Sequence, residues 1–384
     1  MSSAPDAAPG TSRRLLEVRD LRVTFTQGAR LVHAVNGLSY TLDEGEILAI
    51  IGESGSGKTV ASRTLMGLLP PSARISGSVR FDGDELIGLP EQAIRRYRGS
   101  EIAMVFQDPA RSLNPTMKIG TQITEAIRRH SDLDRDAAKK RAIELLKLVH
   151  LPAAERRFHE YPHQMSGGMR QRVVIAIALA GEPRLLIADE ATTALDVTTQ
   201  AQIMELLLDL RERLGMAIVL ISHDLGLAAS YAQRVVVMYA GRAVEYASAD
   251  LLFADVRMPY TRALLGAIPL LDRPPHGELP VISGQPPDPA ALPDGCPFRP
   301  RCDLATDRCA EAPPFQEHEP DHWWACWNTA AAVPASATPS AGGGAVRGVW
   351  GTAPRNDTSA GGGAVRGVWG TAPRDDTSED GAGR

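Results

Sequence analysis

The sequence predicts an α/β protein with a mixed sheet at its centre, and three observations carry the prediction. Short continuous apolar runs (EILAIIG, IAMVF at 102–106, RLLIAD at 184–189, AIVLIS at 217–222 and RVVVMYA at 234–240) alternate with helical stretches, as strands buried on both faces alternate with the helices that cover them. GESGSGKT, Gly52 to Thr59, follows the first of these runs and precedes the helical KTVASRTLMGLL, where a phosphate-binding loop belongs. The 384 residues are 43% hydrophobic and 23% charged, enough apolar material for one or two cores, which excludes disorder throughout.

In chain order, residues 1–14 are small, polar and Pro-containing and read as a flexible arm without the apolar h-region of a secretory signal. LLEVRDLRVTF alternates apolar and polar residues and opens an antiparallel β subdomain. Between Gln107 and Ser166 the chain turns helical and charged (EAIRRH, AAKKRAIELLKLV), which places a helical subdomain over about 108–170 inside a unit spanning 15–255. From about Arg257 the connections become Pro-rich, and all four cysteines fall between Cys296 and Cys326, so residues 256–330 read as a small Cys-rich extension. Beyond it, 341–359 recur as 360–378 with Asn356 replaced by Asp375. Two copies make no solenoid, and residues 331–384 are expected to be a disordered tail.

Charge and hydropathy narrow the function classes. The 41 basic residues against 46 acidic ones leave a net charge of -5, which argues against a basic nucleic-acid surface. The longest apolar run near the middle, Val173 to Ala180, falls far short of the roughly 18 to 20 residues that cross a bilayer. A cytoplasmic chain is expected, where clustered thiols more often hold a metal than form disulfides.

In the phosphate loop, Gly52, Gly55 and Gly57 let backbone N–H groups turn toward phosphates, with Ser54 and Ser56 between them. Lys58 adds a compensating charge, and Thr59 offers a hydroxyl to Mg2+. Leu185 to Ala188 carry Asp189 to a strand's carboxyl end, where it should hold Mg2+. Glu190, one position on, is the candidate base that polarises the attacking water. MSGGMRQRVVIAIALA, from Met165, is a second anion-binding helix start, in which Ser166, Gly167 and Gly168 present a hydroxyl and unobstructed backbone donors.

With Gln107, Asp196 and His223 these segments occur in the order and approximate spacing of the ATP-binding cassette ATPases, which the chain resembles over about residues 15–250. The resemblance implies the cassette fold: a mixed sheet core with an antiparallel β subdomain and a helical subdomain. It implies an adenine-stacking aromatic at Phe25, with Tyr40 as the weaker alternative. It also implies that Gln107 senses Mg2+ and the attacking water, that His223 contacts the γ phosphate, and that Asp196 couples two sites across a dimer. The signature departs from the commonest LSGGQ at Met165 and Met169, which flank the glycine turn. Such ATPases work as head-to-tail dimers with ATP between the phosphate loop of one subunit and the Ser-Gly-Gly helix of the other. The second ATPase is a copy or a homologue, two transmembrane permease subunits are further partners, and no nucleic acid is involved.

RMPYTRALLGAIP (Arg257 to Pro269), GCPFRPRC, Cys309 and the CW at Cys326 resemble the C-terminal extension of oligopeptide and dipeptide importer ATPases, with Met258 where members usually show His. ERRFHEYPHQMSGGM points the same way. The resemblance implies ATP-driven peptide uptake with an extracytoplasmic solute-binding protein, at the cytoplasmic face of a bacterial membrane. Nickel or another solute stays open as the cargo. An exporter ATPase and a nucleic-acid cassette machine are the rivals. Against the latter stand a single set of motifs and the absence of sustained heptads between Lys58 and Ser166. Cys296, Cys302, Cys309 and Cys326, spaced x5, x6 and x16, suit either zinc or an iron-sulfur cluster, with His322 as a possible zinc ligand. The short pairs of structural zinc sites are missing, and the resemblance implies a [4Fe-4S] cluster. With no cysteine near the phosphate motifs in sequence, the centre is expected to stabilise the fold at a distance from ATP.

Overall fold

The computed structural model describes residues 13–28, 30–193, 195–267 and 281–328. Most of the expected arm and the whole duplicated tail lie outside them. Arg14 already begins a strand, so the ordered chain takes in the last two residues assigned to the arm.

Two sheets organise the chain. The first is antiparallel and ordered β2-β1-β4-β5, from β1 (Arg14–Gln27), β2 (Arg30–Asp43), β4 (Ala73–Phe81) and β5 (Asp84–Glu85). Its alternating pattern has the expected cause: Leu16, Val18, Leu21 and Val23 point into a core that also holds Leu38, Leu42, Val79 and Phe81. The pairing of β1 with β2 shifts register between Val18 and Leu21, where Asp20 takes a positive φ.

The second sheet has eight strands in the order β11-β12-β10-β9-β3-β8-β7-β6. Its parallel part runs through β9 (Arg234–Tyr239), β3 (Ile47–Ile51), β8 (Ala217–Ser222), β7 (Leu185–Asp189) and β6 (Ile102–Val105). Every residue of β3, β7 and β8 is buried, as continuous apolar runs require. Beyond β9 the sheet continues antiparallel through β10 (Arg242–Ser248), β12 (His322–Trp324) and β11 (Gln316–Glu319).

Among the described residues no strand lies between Val105 and Leu185, in line with the expected helical subdomain. Its helices Ile119–His130 and Arg135–Leu148 pack with the helix Gly167–Ala178, which runs past the expected boundary at 170 and carries Val173, Ile175 and Ala176 into the same core as Leu186 and Ala188 of β7. One end of the helical layer is tied down by the Ile119 and Gly120 N–H groups, which donate to the carbonyls of Glu160 and Phe158.

The Cys-rich segment does not stand apart. Cys296, Phe298 and Cys309 share a buried cluster with Ala49 and Ile51 of β3, Tyr239 of β9, and Tyr260 from the helix Pro259–Gly266. With β11 and β12 completing the large sheet, this segment is built onto the parallel core.

Candidate functional site

The phosphate loop leaves β3 at its carboxyl end and turns into the helix Lys58–Leu65. Gly57 caps that helix at φ 97°, and a Cβ there would stand 2.3 Å from the Ala34 carbonyl oxygen, so no other residue fits. The Lys58 ammonium folds back into the loop and donates to the Gly52 and Glu53 carbonyl oxygens at 2.7 and 2.9 Å and to Ser56 Oγ at 3.4 Å. Burial pulls its pKa below that of an ordinary lysine, against the opposing pull of Glu190, Asp189 and Glu53.

The acidic side of the site comes from β7. Asp189, buried at the strand end, accepts a hydrogen bond from Thr59 Oγ1 at 3.1 Å, and burial raises its carboxyl above the usual range. A hydroxyl and a carboxylate in contact are the hard oxygen donors that Mg2+ takes, so this pair fits the expected ion. Glu190 follows at φ 48°, which turns its side chain away from Asp189's direction. Its Oε2 accepts from Gln107 Nε2 at 2.7 Å, and its Oε1 lies 3.7 Å from Nδ1 of His223. The strand ends of β6, β7 and β8 thus deliver Gln107, Asp189, Glu190 and His223 to one place.

A cleft beside the loop is lined by Glu53, Ser54, Glu190, His223, Leu264 and Pro286. The Ser166–Gly168 turn does not line it. Ser166 caps the helix Gly167–Ala178, accepting from the Met169 N–H at 3.4 Å, and Gly168 faces Thr199, whose Cγ2 would stand 2.6 Å from a Cβ at that position. Asp196 caps the next helix, Val197–Leu214, by accepting from the Thr199 N–H at 3.0 Å. The Ser166–Gly168 turn therefore sits beside Asp196 and outside the lining of that cleft.

Phe25 is half-buried on β1 opposite Val32. Tyr40 is corrected as an adenine candidate: it is 3% exposed in the core between the sheets, and burial raises its hydroxyl pKa.

All four cysteines line one small cavity with Phe298 and Trp327. Cys296 donates its N–H to the Cys309 carbonyl, and the Asn328 N–H reaches Cys326 Sγ at 3.3 Å. Burial pushes the Cys326 thiol up to about 11 and moves Cys296 and Cys302 the same way, with further push from the neighbouring thiols. Among the described residues no three His, Cys, Asp or Glu side chains are grouped so as to hold a metal ion, which supports neither the zinc nor the iron-sulfur expectation. His322 is corrected too: it lies fully buried on β12, 2.9 Å from Glu245, away from the cavity.

One contact is not visible in the sequence. The Cys-rich segment is not remote from the phosphate loop but touches it. Arg301, next to Cys302, forms a two-point ion pair with Glu53, and the Tyr260 hydroxyl accepts the Glu53 N–H at 2.9 Å. The carboxylate of Glu53 within GESGSGKT was the one available signal, and it names no partner.

Sequence profiles of two families match this chain: ABC transporter over residues 35–193, and the oligopeptide/dipeptide transporter C-terminal region over residues 244–309. The oligopeptide transport ATP-binding protein OppD of Salmonella typhimurium is 47% identical over 327 residues, covering 85% of this chain and 97% of that protein. OppD of Bacillus subtilis is 49% identical over 317 residues, covering 82% and 88%. OppD of Mycobacterium bovis is 50% identical over 317 residues, but the chain spans only about half of it, 52%. Among solved structures, the dimeric ATP-binding cassette MJ0796 in a post-hydrolysis state with ADP and Pi aligns at a TM-score of 0.55 and 29% identity, over 61% of this chain and 99% of that one. The cbiO1 protein of Clostridium perfringens, part of the transporter complex cbiONQ, aligns at 0.55 and 30%, over 63% and 91%. Among the described residues no helix is long and apolar enough to cross a membrane.

Proposed function

This chain belongs to the ATP-binding subunits of the ABC transporter family, in the oligopeptide/dipeptide branch, and from that premise we propose that it hydrolyses ATP to drive uptake of oligopeptides or dipeptides. The observation that carries the proposal is that Lys58, Thr59, Gln107, Asp189, Glu190 and His223 follow from the ends of four parallel strands, with Thr59 bonded to Asp189, Gln107 bonded to Glu190, and Glu190 and His223 side by side on one cleft. In this reading the loop from Gly52 to Thr59 holds the phosphates, and Lys58 trades its carbonyl partners for phosphate oxygens. Thr59, Asp189 and Gln107 would hold Mg2+, which neutralises charge on the phosphates when bound. Glu190 takes the proton of the attacking water while Gln107 keeps the carboxylate aimed. His223, beside Glu190, would contact the γ phosphate, and Phe25 would stack on adenine.

A site whose cleft the Ser166–Gly168 turn of the same chain does not line is completed by a second ATPase subunit, its own copy or a homologue. Asp196, beside that turn, is placed to couple the two halves. Two permease subunits and an extracytoplasmic solute-binding protein complete the transporter, with this chain at the cytoplasmic face. The test is ATP hydrolysis by the chain with and without peptide-importer membrane subunits, and against DNA and ribosomes. Stimulation by the membrane subunits and by peptide-loaded binding protein is expected; stimulation by DNA or ribosomes instead would reject transport.

The same reading assigns a [4Fe-4S] cluster to Cys296, Cys302, Cys309 and Cys326. Its support is the shared cavity, whose raised thiol pKa values mark an environment that a cationic centre would relieve. A polynuclear centre also spaces its thiolates wider than one zinc ion, whose sulfurs stand about 2.3 Å from the metal. Anaerobic purification should yield a brown protein with iron and sulfide in equal amounts; a colourless protein with stoichiometric zinc, or with neither metal, would reject the cluster.

A further inference from the structure

We infer that Arg301 is a positioning residue for the phosphate loop: through Glu53 it holds the loop in shape and cancels a negative charge that would otherwise face the nucleotide's phosphates. The inference rests on the nucleotide site proposed above and ties one residue of its loop, Glu53, to Arg301 and Tyr260, which lie outside its motifs.

Glu53 is fixed at three points, two of which come from the C-terminal segment. Its carbonyl oxygen accepts from Lys58, its N–H donates to the Tyr260 hydroxyl at 2.9 Å, and its carboxylate receives both Nη1 and Nη2 of Arg301 at 2.7 and 3.0 Å. The arginine is itself immobilised. Its side chain is 4% exposed, its Nε donates to the Ser283 carbonyl at 2.9 Å, and its guanidinium lies 5.9 Å from the centroids of both the Tyr239 and Phe298 rings. A two-point guanidinium–carboxylate pair fixes direction as well as distance, which a lysine in that place could not do.

The electrostatics give the clamp a signature that packing alone lacks. A bare carboxylate in a loop built to bind polyphosphate opposes its ligand, and Arg301 removes that opposition. Losing the arginine therefore harms binding twice, through a looser loop and an exposed charge. Losing the glutamate harms it once. Arg301 sits in the turn between Cys296 and Cys302, with its N–H bonded to the Phe298 carbonyl, so its position follows that of the cysteine cavity.

The experiment titrates the full chain with a fluorescent ATP analogue and Mg2+, and measures KM and kcat for ATP in the assembled transporter. Arg301→Met should weaken nucleotide binding about tenfold, about 1.4 kcal/mol. KM should rise in parallel, with kcat at saturating ATP staying within about twofold, since the chemistry is untouched. Glu53→Gln, which leaves the arginine's surroundings in place, should weaken binding by about threefold or less, and the double variant should bind better than Arg301→Met alone. Wild-type affinity in Arg301→Met, or a double variant weaker than Arg301→Met, would overturn the clamp. A wild-type chain that binds no ATP would overturn the nucleotide site as well.

Discussion

Glu190 sits at φ 48°, a left-handed backbone conformation that costs a non-glycine residue on the order of 1 kcal/mol and is kept only where its surroundings enforce it. Here the Ile221 carbonyl, which accepts the Glu190 N–H at 3.0 Å, and Gln107 on the carboxylate do the enforcing. Glu190→Gln should retain ATP binding and lower turnover on the order of 100-fold or more, measured as steady-state phosphate release beside an ATP titration. Hydrolysis at the wild-type rate would make the residue a bystander. The chemistry at this scale was legible because it is local: Lys58 and Thr59 belong to one contiguous motif, and Asp189 and Glu190 end one apolar run. Arg301 and Tyr260 were not, since an arginine and a tyrosine in a Pro-rich stretch carry no sign of a glutamate more than 200 residues earlier, 248 in the case of Arg301.

Helix starts do much of the work at the scale of elements. The helix Gly167–Ala178 begins at Ser166, whose hydroxyl caps the Met169 N–H, and this start lines no part of the cleft beside the phosphate loop of its own chain. Ser166→Arg should leave ATP binding by isolated chains intact and abolish ATP-dependent dimerisation, read by light scattering or size exclusion. Loss of ATP binding by the single chain would place both helix starts in one site. The central strands could be read because their runs are continuously apolar, and the helical layer because its charged helical stretches are long. The hairpin of β11 and β12 could not. Its strands are four and three residues long, one of them QEHE, and they exist because β10 offers a pairing edge.

For the whole molecule, the large sheet is closed on its antiparallel side by residues from the far end of the chain. Truncation after Asp255 removes β11 and β12, bares the edge of β10 and deletes Tyr260 and Arg301 together. The shortened chain should self-associate and bind ATP more weakly than Arg301→Met, by size exclusion and nucleotide titration; a monodisperse product of wild-type affinity would show that the segment adds nothing to the core. Composition sets this segment off by its texture, but texture says nothing about where a Pro-rich chain docks. The clamp between Glu53 and Arg301 has a consequence in time as well as in space. A ribosome adding about 5–20 residues per second needs roughly 12 to 50 seconds to travel the 248 positions between the two. Throughout that interval the nascent chain carries its phosphate loop unbraced, and a message broken before codon 301 yields a cassette whose loop never gains that brace.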